Sequence, residues 1–86
     1  MQTLNEKYGL DKKTELEIIG PGKIGIVKCV KRRLLVADAE RFMETAARIR
    51  AVDPDTQVYL ICTDNICSKS VGLLQKNGID ILIAED

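Results

Sequence analysis

The stretch Thr14–Val30, TELEIIGPGKIGIVKCV, limits the fold more than any other part of the 86-residue chain. It holds two runs rich in β-branched residues, separated by Gly20, Pro21 and Gly22. Proline followed by glycine suits the central pair of a type II turn, so the segment is expected to be a β-hairpin. If Pro21 and Gly22 are the central residues and the ladder is regular, Glu17 faces Ile26 and Glu15 faces Lys28. Both glutamates then lie on the Lys28 side of the strand, opposite Cys29 and Lys31, and Glu15 with Lys28 forms a cross-strand ion pair. A one-residue bulge would reverse that parity.

From Leu35 the period becomes helical. Ala39, Phe42, Met43, Ala46, Ile49 and Val52 recur at steps of three and four, while Glu40, Arg41, Glu44, Arg48 and Arg50 fall mostly on the other side. Asp38 and Glu40 sit in the first turn and Arg48 and Arg50 in the last, as the helix dipole favours. The tetrapeptide Asp53–Thr56, DPDT, stops the helix. QVYLICT then places Val58, Leu60 and Cys62 on one face and Tyr59 and Ile61 on the other, the pattern of an interior strand covered on both sides. Asp64 or Asn65 is expected to cap a second helix through Ile66, Ser70, Leu73, Leu74 and Asn77, with Gly78 at its left-handed end, and IDILIA closes as a strand. A short helix is expected over residues 3–10, ended by Gly9 and Asp11.

Hairpin, helix, strand, helix, strand implies an α/β fold with a single mixed β-sheet, helices packed on it and right-handed parallel crossovers. Residues 1–86 leave room for one small domain. The composition, 45% hydrophobic and 30% charged, is that of an ordinary globular chain. No stretch is apolar enough for a membrane span, and the polar N-terminus lacks a secretory pattern, so a cytoplasmic location is expected. The three cysteines, Cys29, Cys62 and Cys67, are expected to be reduced thiols. Four residues separate Cys62 from Cys67 and the chain has no histidine, which argues against a zinc or thioredoxin-like site. Net charge is zero, but residues 1–33 carry eight Lys/Arg against four Asp/Glu and residues 34–86 carry five against nine. One cationic face is compatible with that division.

ELEIIGPGKIGIVKCVKRRLLVADAERF resembles the hairpin and following helix of the PD-(D/E)XK nuclease-like superfamily, in particular its small archaeal, Mrr-like and Holliday-junction-resolvase-like members. VYLICTDNICSKSVGLLQKNGIDILIAED is similar to the strand, helix and final strand that follow in that family. The resemblance implies that Glu17 occupies the acidic position of the first strand and Lys31 the lysine position of the second, with Cys29 where the second acid should stand. In active members two acids hold Mg²⁺, which prefers hard oxygen ligands, while the lysine stabilises charge at the scissile phosphate. A mostly neutral thiol is a poor substitute for that carboxylate, which leaves Glu17 as the one metal candidate. The family's usual strand before the hairpin also has little room in residues 1–13.

KCVKRR gathers Lys28, Lys31, Arg32 and Arg33, a candidate contact for the phosphates of DNA or RNA. The chain holds few aromatics, Tyr8, Tyr59 and Phe42, for base stacking. GPGKIG lacks the spacing and following helix of a phosphate loop and reads as a turn. Asp64, Asp80, Glu85 and Asp86 fall at or near the ends of the last two strands, where α/β sheets bind ligands, and Asp64 leads as a functional candidate although it also suits a cap. The expected function is a nuclease-like domain of little or no catalytic power that binds nucleic acid through the basic strand end. Two other readings stand beside it. One is a small interaction or homodimerising module without nucleic acid; the other is an active nuclease that recruits Glu15 or Glu6.

Overall fold

Pro21 and Gly22 form the hairpin turn, and Gly22 adopts φ +68°, the left-handed conformation a type II turn needs at its third residue. In this computed structural model, which describes residues 4–11 and 13–84, the turn joins β1 (Glu15–Gly20) to β2 (Lys23–Lys28). Gly20 pairs with Lys23, but a bulge at Ile19 shifts the ladder by one. Beyond it Ile18 faces Ile24, Glu17 faces Gly25 and Glu15 faces Val27. The regular register expected from the sequence is therefore corrected. Glu15 and Glu17 share a face with Gly25 and Val27, and Lys28 lies on the opposite face, so no cross-strand Glu15–Lys28 pair forms.

The bulge has a packing reason. A Cβ on Gly25 would lie 2.5 Å from Ile61 Cδ1 and 3.0 Å from Ile19 Cδ1, so the two isoleucines close over a position that only glycine leaves vacant. Ile19 thereby stays on the face of Gly25, while Leu16 and Ile18 turn to the face of Ile24 and Ile26.

The chain continues through α2 (Val36–Val52), β3 (Gln57–Cys62), α3 (Ser68–Lys76) and β4 (Ile79–Ile83), after an opening α1 (Leu4–Tyr8). The four strands lie in chain order, β1 antiparallel to β2 and the rest parallel, giving the mixed α/β sheet expected. Both crossovers step in the same direction. With one handedness they put α2 and α3 on the same side of the sheet. Ile24 and Ile26, Val58, Leu60 and Cys62, and Ile79 are buried there under Phe42, Ala46, Ile49 and Leu74.

Among the described residues no helix covers Tyr59 and Ile61 on the other side, which corrects the expectation that β3 is covered on both faces. β3 is interior, with Val58, Leu60 and Cys62 buried, but Tyr59 and Ile61 are only half-buried on the open face. Their neighbours there include Val27, half-buried, and Leu82, exposed. No helix among the described residues is long and apolar enough to cross a membrane.

The helix ends are fixed by side chains. Asp53 ends α2, where it accepts from Tyr8 Oη at 2.7 Å and from Lys7 Nζ at 2.9 Å, and this ties α1 to α2. Arg50 donates to the carbonyls of Asn77 and Gly78 at 3.1 and 2.9 Å, which secures the end of α3 against α2. Gly78 is left-handed at φ +78°, as its place after the helix predicts. The N-terminal cap of α3 differs from expectation. Cys67 occupies it, accepting from Ser70 N at 3.4 Å, while Asp64 and Asn65 lie in the preceding loop.

Candidate nucleic-acid interface

β2 stops at Lys28, and residues 29–33 bend away before α2 begins. The bend is anchored to the loop that follows β3. Leu34 forms a parallel bridge with Ile66; Leu34 N donates to Asn65 O at 2.9 Å, Cys67 N to Leu34 O at 3.0 Å, and Asn65 Nδ2 to Lys31 O at 3.2 Å. Leu34 is fully buried beneath them. The two loops at the carboxyl ends of the parallel strands thus form one stitched unit, where α/β sheets place their ligands.

Arg32 has a structural commitment that composition does not reveal. Its guanidinium donates to Asp38 through Nη1 at 2.8 Å and Nη2 at 2.7 Å, the two-pronged geometry that suits a carboxylate. Asp38 also accepts from Leu35 N at 2.9 Å, so it caps α2 where Leu35 has no polar side chain to do so. The Arg32 hydrogen bonds, then the Leu35 amide, hold the Asp38 carboxyl well below the usual carboxylate range. Arg32 therefore fastens the loop to the helix, and its charge is largely neutralised.

Beside this pair lies a cleft of about 280 Å³ between the start of β1, the end of β2 and the N-terminal half of α2. Four cations, Lys13, Lys28, Arg32 and Arg41, line it together with Asp11, Glu15 and Asp38. Lys31 and Arg33 are exposed in the adjoining loop, and Asp64 is exposed in the loop stitched to it. Among the described residues this end thus carries six cations against four carboxylates, which leaves six against seven for the rest of them. Apart from Arg32, none of the six has an ion-pair partner among the described residues. Lys13 and Arg41 lie outside the KCVKRR run, and the sequence places Arg41 only on the polar side of α2, since a 3.6-residue period cannot show that this side borders the strand end.

The residues of the nuclease-like motif are placed apart. Glu17 is exposed in the middle of β1, opposite Gly25. The bulge does turn it toward the face with the parity of Cys29. Yet Gly25 and Cys29 are four residues apart, roughly 13 Å along an extended strand, far beyond the ~2.1 Å of a Mg²⁺–oxygen bond. Cys29 itself is exposed just past the strand, its Sγ 4.0 Å from Ile61 O. Lys31 sits two residues further on, in the bend. Glu17, Cys29 and Lys31 are not brought together around one ion, and no group of three or more His, Cys, Asp or Glu among the described residues is placed to hold a metal. The motif donors thus do not fit Mg²⁺: Cys29 supplies no second carboxylate, and although Glu15 and Glu6 line one groove with Glu17, the described residues form no metal-holding group there.

The other two thiols have separate environments. Cys62 is buried, and burial first, with the nearby Cys29 second, pushes its thiol up. Cys67 is lowered, chiefly by hydrogen bonding from Ser70, whose Oγ lies 2.8 Å away, with a smaller contribution from the Arg33 charge. Asp80 lies on the open face of β4, and Glu85 and Asp86 fall outside the described residues. Compared with known proteins, the chain matches no family model, no curated protein and no solved structure.

Proposed function

We propose that the chain is a nuclease-like domain that binds the sugar–phosphate backbone of a nucleic acid at the carboxyl end of β2 without cleaving it. The observation that carries the reading is the cluster of cations at the cleft, where Lys13, Lys28 and Arg41 form no ion pair among the described residues and stand beside exposed Lys31 and Arg33. Such groups supply sequence-independent affinity through release of condensed counterions. The bend between Lys28 and Leu34 is anchored at Leu34 by backbone bonds and at Lys31 by the Asn65 side chain, so the cations are presented from a tethered loop. Support for the absence of cleavage comes from the chemistry of the donors: the position of the second acid holds Cys29, a soft ligand at a distance from Glu17.

The test is binding of fluorescently labelled duplex DNA and RNA at low salt, by wild type and by Lys28→Glu/Arg41→Glu. The double substitution removes two phosphate contacts, so affinity falls by roughly tenfold or more and the salt slope shrinks by about two. Plasmid incubated with Mg²⁺ or Mn²⁺ stays intact. Equal affinity of the variant would refute the interface, and nicking abolished by Lys31→Ala would refute the absence of catalysis.

A second reading, an interaction module that carries no nucleic acid, is favoured by the open sheet face, where Ile19 and Leu82 are about two-fifths exposed. It predicts no retention of any nucleic acid in the same assay.

A further inference from the structure

The two edges of the sheet are built differently. β1 carries exposed Glu15 and Glu17 and the bulge at Ile19, features that discourage another strand from pairing. β4 has no bulge and one exposed carboxylate, Asp80. Its outer backbone groups have no ladder partner among the described residues, four of its five residues are Ile or Leu, and it holds neither lysine nor proline. Leu82 is 39% and Ile83 49% exposed. A largely apolar edge without bulge, lysine or proline is a template for strand addition.

We infer that β4 pairs antiparallel with β4 of a second copy of this chain, making a continuous eight-stranded sheet with the two-fold axis at Ile81. The charge pattern selects both the occupant and the register. Centred on Ile81, the pairing sets Ile79 against Ile83, Ile81 against Ile81 and Asp80 against Leu82 of the second copy. Every residue of the strand is then paired, the exposed Ile83 lies beside the buried Ile79, and no like charges meet. Moving the axis to Asp80 would bring two carboxylates face to face, which is destabilising. Moving it to Leu82 would leave Ile79 without a partner among the described residues. The axis stands perpendicular to the sheet, so the helices of both copies share one side and the Ile79, Ile81, Ile83 row becomes continuous across the join. This contact is independent of the cationic end of β2.

The test is sedimentation equilibrium of the full chain, with two substitutions of opposite charge at the exposed Leu82. In this register position 82 faces Asp80 of the second copy, twice by symmetry. A short-strand interface lies at the small end of specific contacts, so wild type shifts from 9.6 kDa toward twice that mass over roughly 5–500 µM. Leu82→Glu sets two pairs of like charges opposite one another and weakens the dimer by about tenfold or more, whereas Leu82→Lys sets two opposite-charge pairs and leaves it equal or tighter. Circular dichroism of each variant checks that the monomer remains folded. A wild type that stays at 9.6 kDa throughout overturns the inference. Equal weakening by both variants overturns it too, since that would place the contact on the open sheet face, and so does indifference to both, which would place it away from β4.

Discussion

Replacing Asp38 by asparagine should lower stability and raise affinity for nucleic acid at the same time. The carboxylate accepts three hydrogen bonds, two from Arg32 at 2.8 and 2.7 Å and one from Leu35 N at 2.9 Å. Asparagine keeps an oxygen for the Leu35 amide but loses the charge that holds Arg32. Hydrogen bonds to charged groups contribute about 1.5–3 kcal/mol when well shielded. The Asp38 side chain is only 12% exposed but Arg32 is 55% exposed, so screening reduces the loss to about 1–2 kcal/mol. For a domain of this size that lowers Tm by about 5–15 °C. Alanine, which also abandons the helix cap, should cost about 1 kcal/mol more.

The pH dependence has a definite sign. The folded-state pKa of Asp38 is depressed, so its contribution is complete above the unfolded value near 4 and is lost as pH falls through the folded value. Denaturant melts should therefore show a constant gap between wild type and Asp38→Asn from about pH 5 to 7, closing only in acid. Released from its partner, Arg32 joins the phosphate contacts, and the salt slope for duplex binding steepens by about one. A double-mutant cycle with Arg32→Gln should show the two substitutions to be coupled rather than additive. Unchanged stability, or affinity that falls with it, would refute the assignment of Arg32 as a neutralised anchor.

Three further substitutions and one labelling experiment probe the frame around this site. Gly25→Ala forces Ile61 and Ile19 aside and should cost about 1 kcal/mol in chemical denaturation, with Gly25→Val near 3 kcal/mol, since overpacking grows with added volume. Tyr8→Phe removes the hydrogen bond to Asp53 and should cost about 1 kcal/mol, read as faster hydrogen exchange in α1. A thiol reagent should modify exposed Cys29 quickly and buried Cys62 only at the rate of unfolding, so mass spectrometry of a timed reaction should find Cys62 protected.

Much of the fold was legible because the signals were local. The Pro21–Gly22 turn, the 3.6 period from Ala39 to Val52 and Gly78 after α3 each depend on neighbours in sequence, and each is where expected. What failed depended on contacts across the sheet. The Ile19 bulge answers to Ile61, forty-two residues away, and it inverted the parity of Glu15 and Glu17. Tyr59 and Ile61 read as doubly covered because their apolarity is the same whether a helix or another isoleucine lies over them. The cap of α3 fell to Cys67 rather than Asp64, since the bridge from Leu34 to Ile66 fixes where the loop ends. At the site, Lys28 and Lys31 could be read from their run, but the neutralisation of Arg32 and the recruitment of Arg41 and Lys13 arise only when α2 and β1 fold onto the end of β2.

The salt dependence of nucleic-acid binding tests the central claim most directly. Five cations at the end of β2, namely Lys13, Lys28, Lys31, Arg33 and Arg41, lack ion-pair partners among the described residues. Each phosphate neutralised contributes about −0.9 to the slope of log affinity against log salt, so anisotropy titrations of a labelled duplex in KCl should give a slope of about −3 to −4.5. A slope shallower than about −1, or no binding at the lowest salt, would contradict a phosphate-binding role for this end of the sheet.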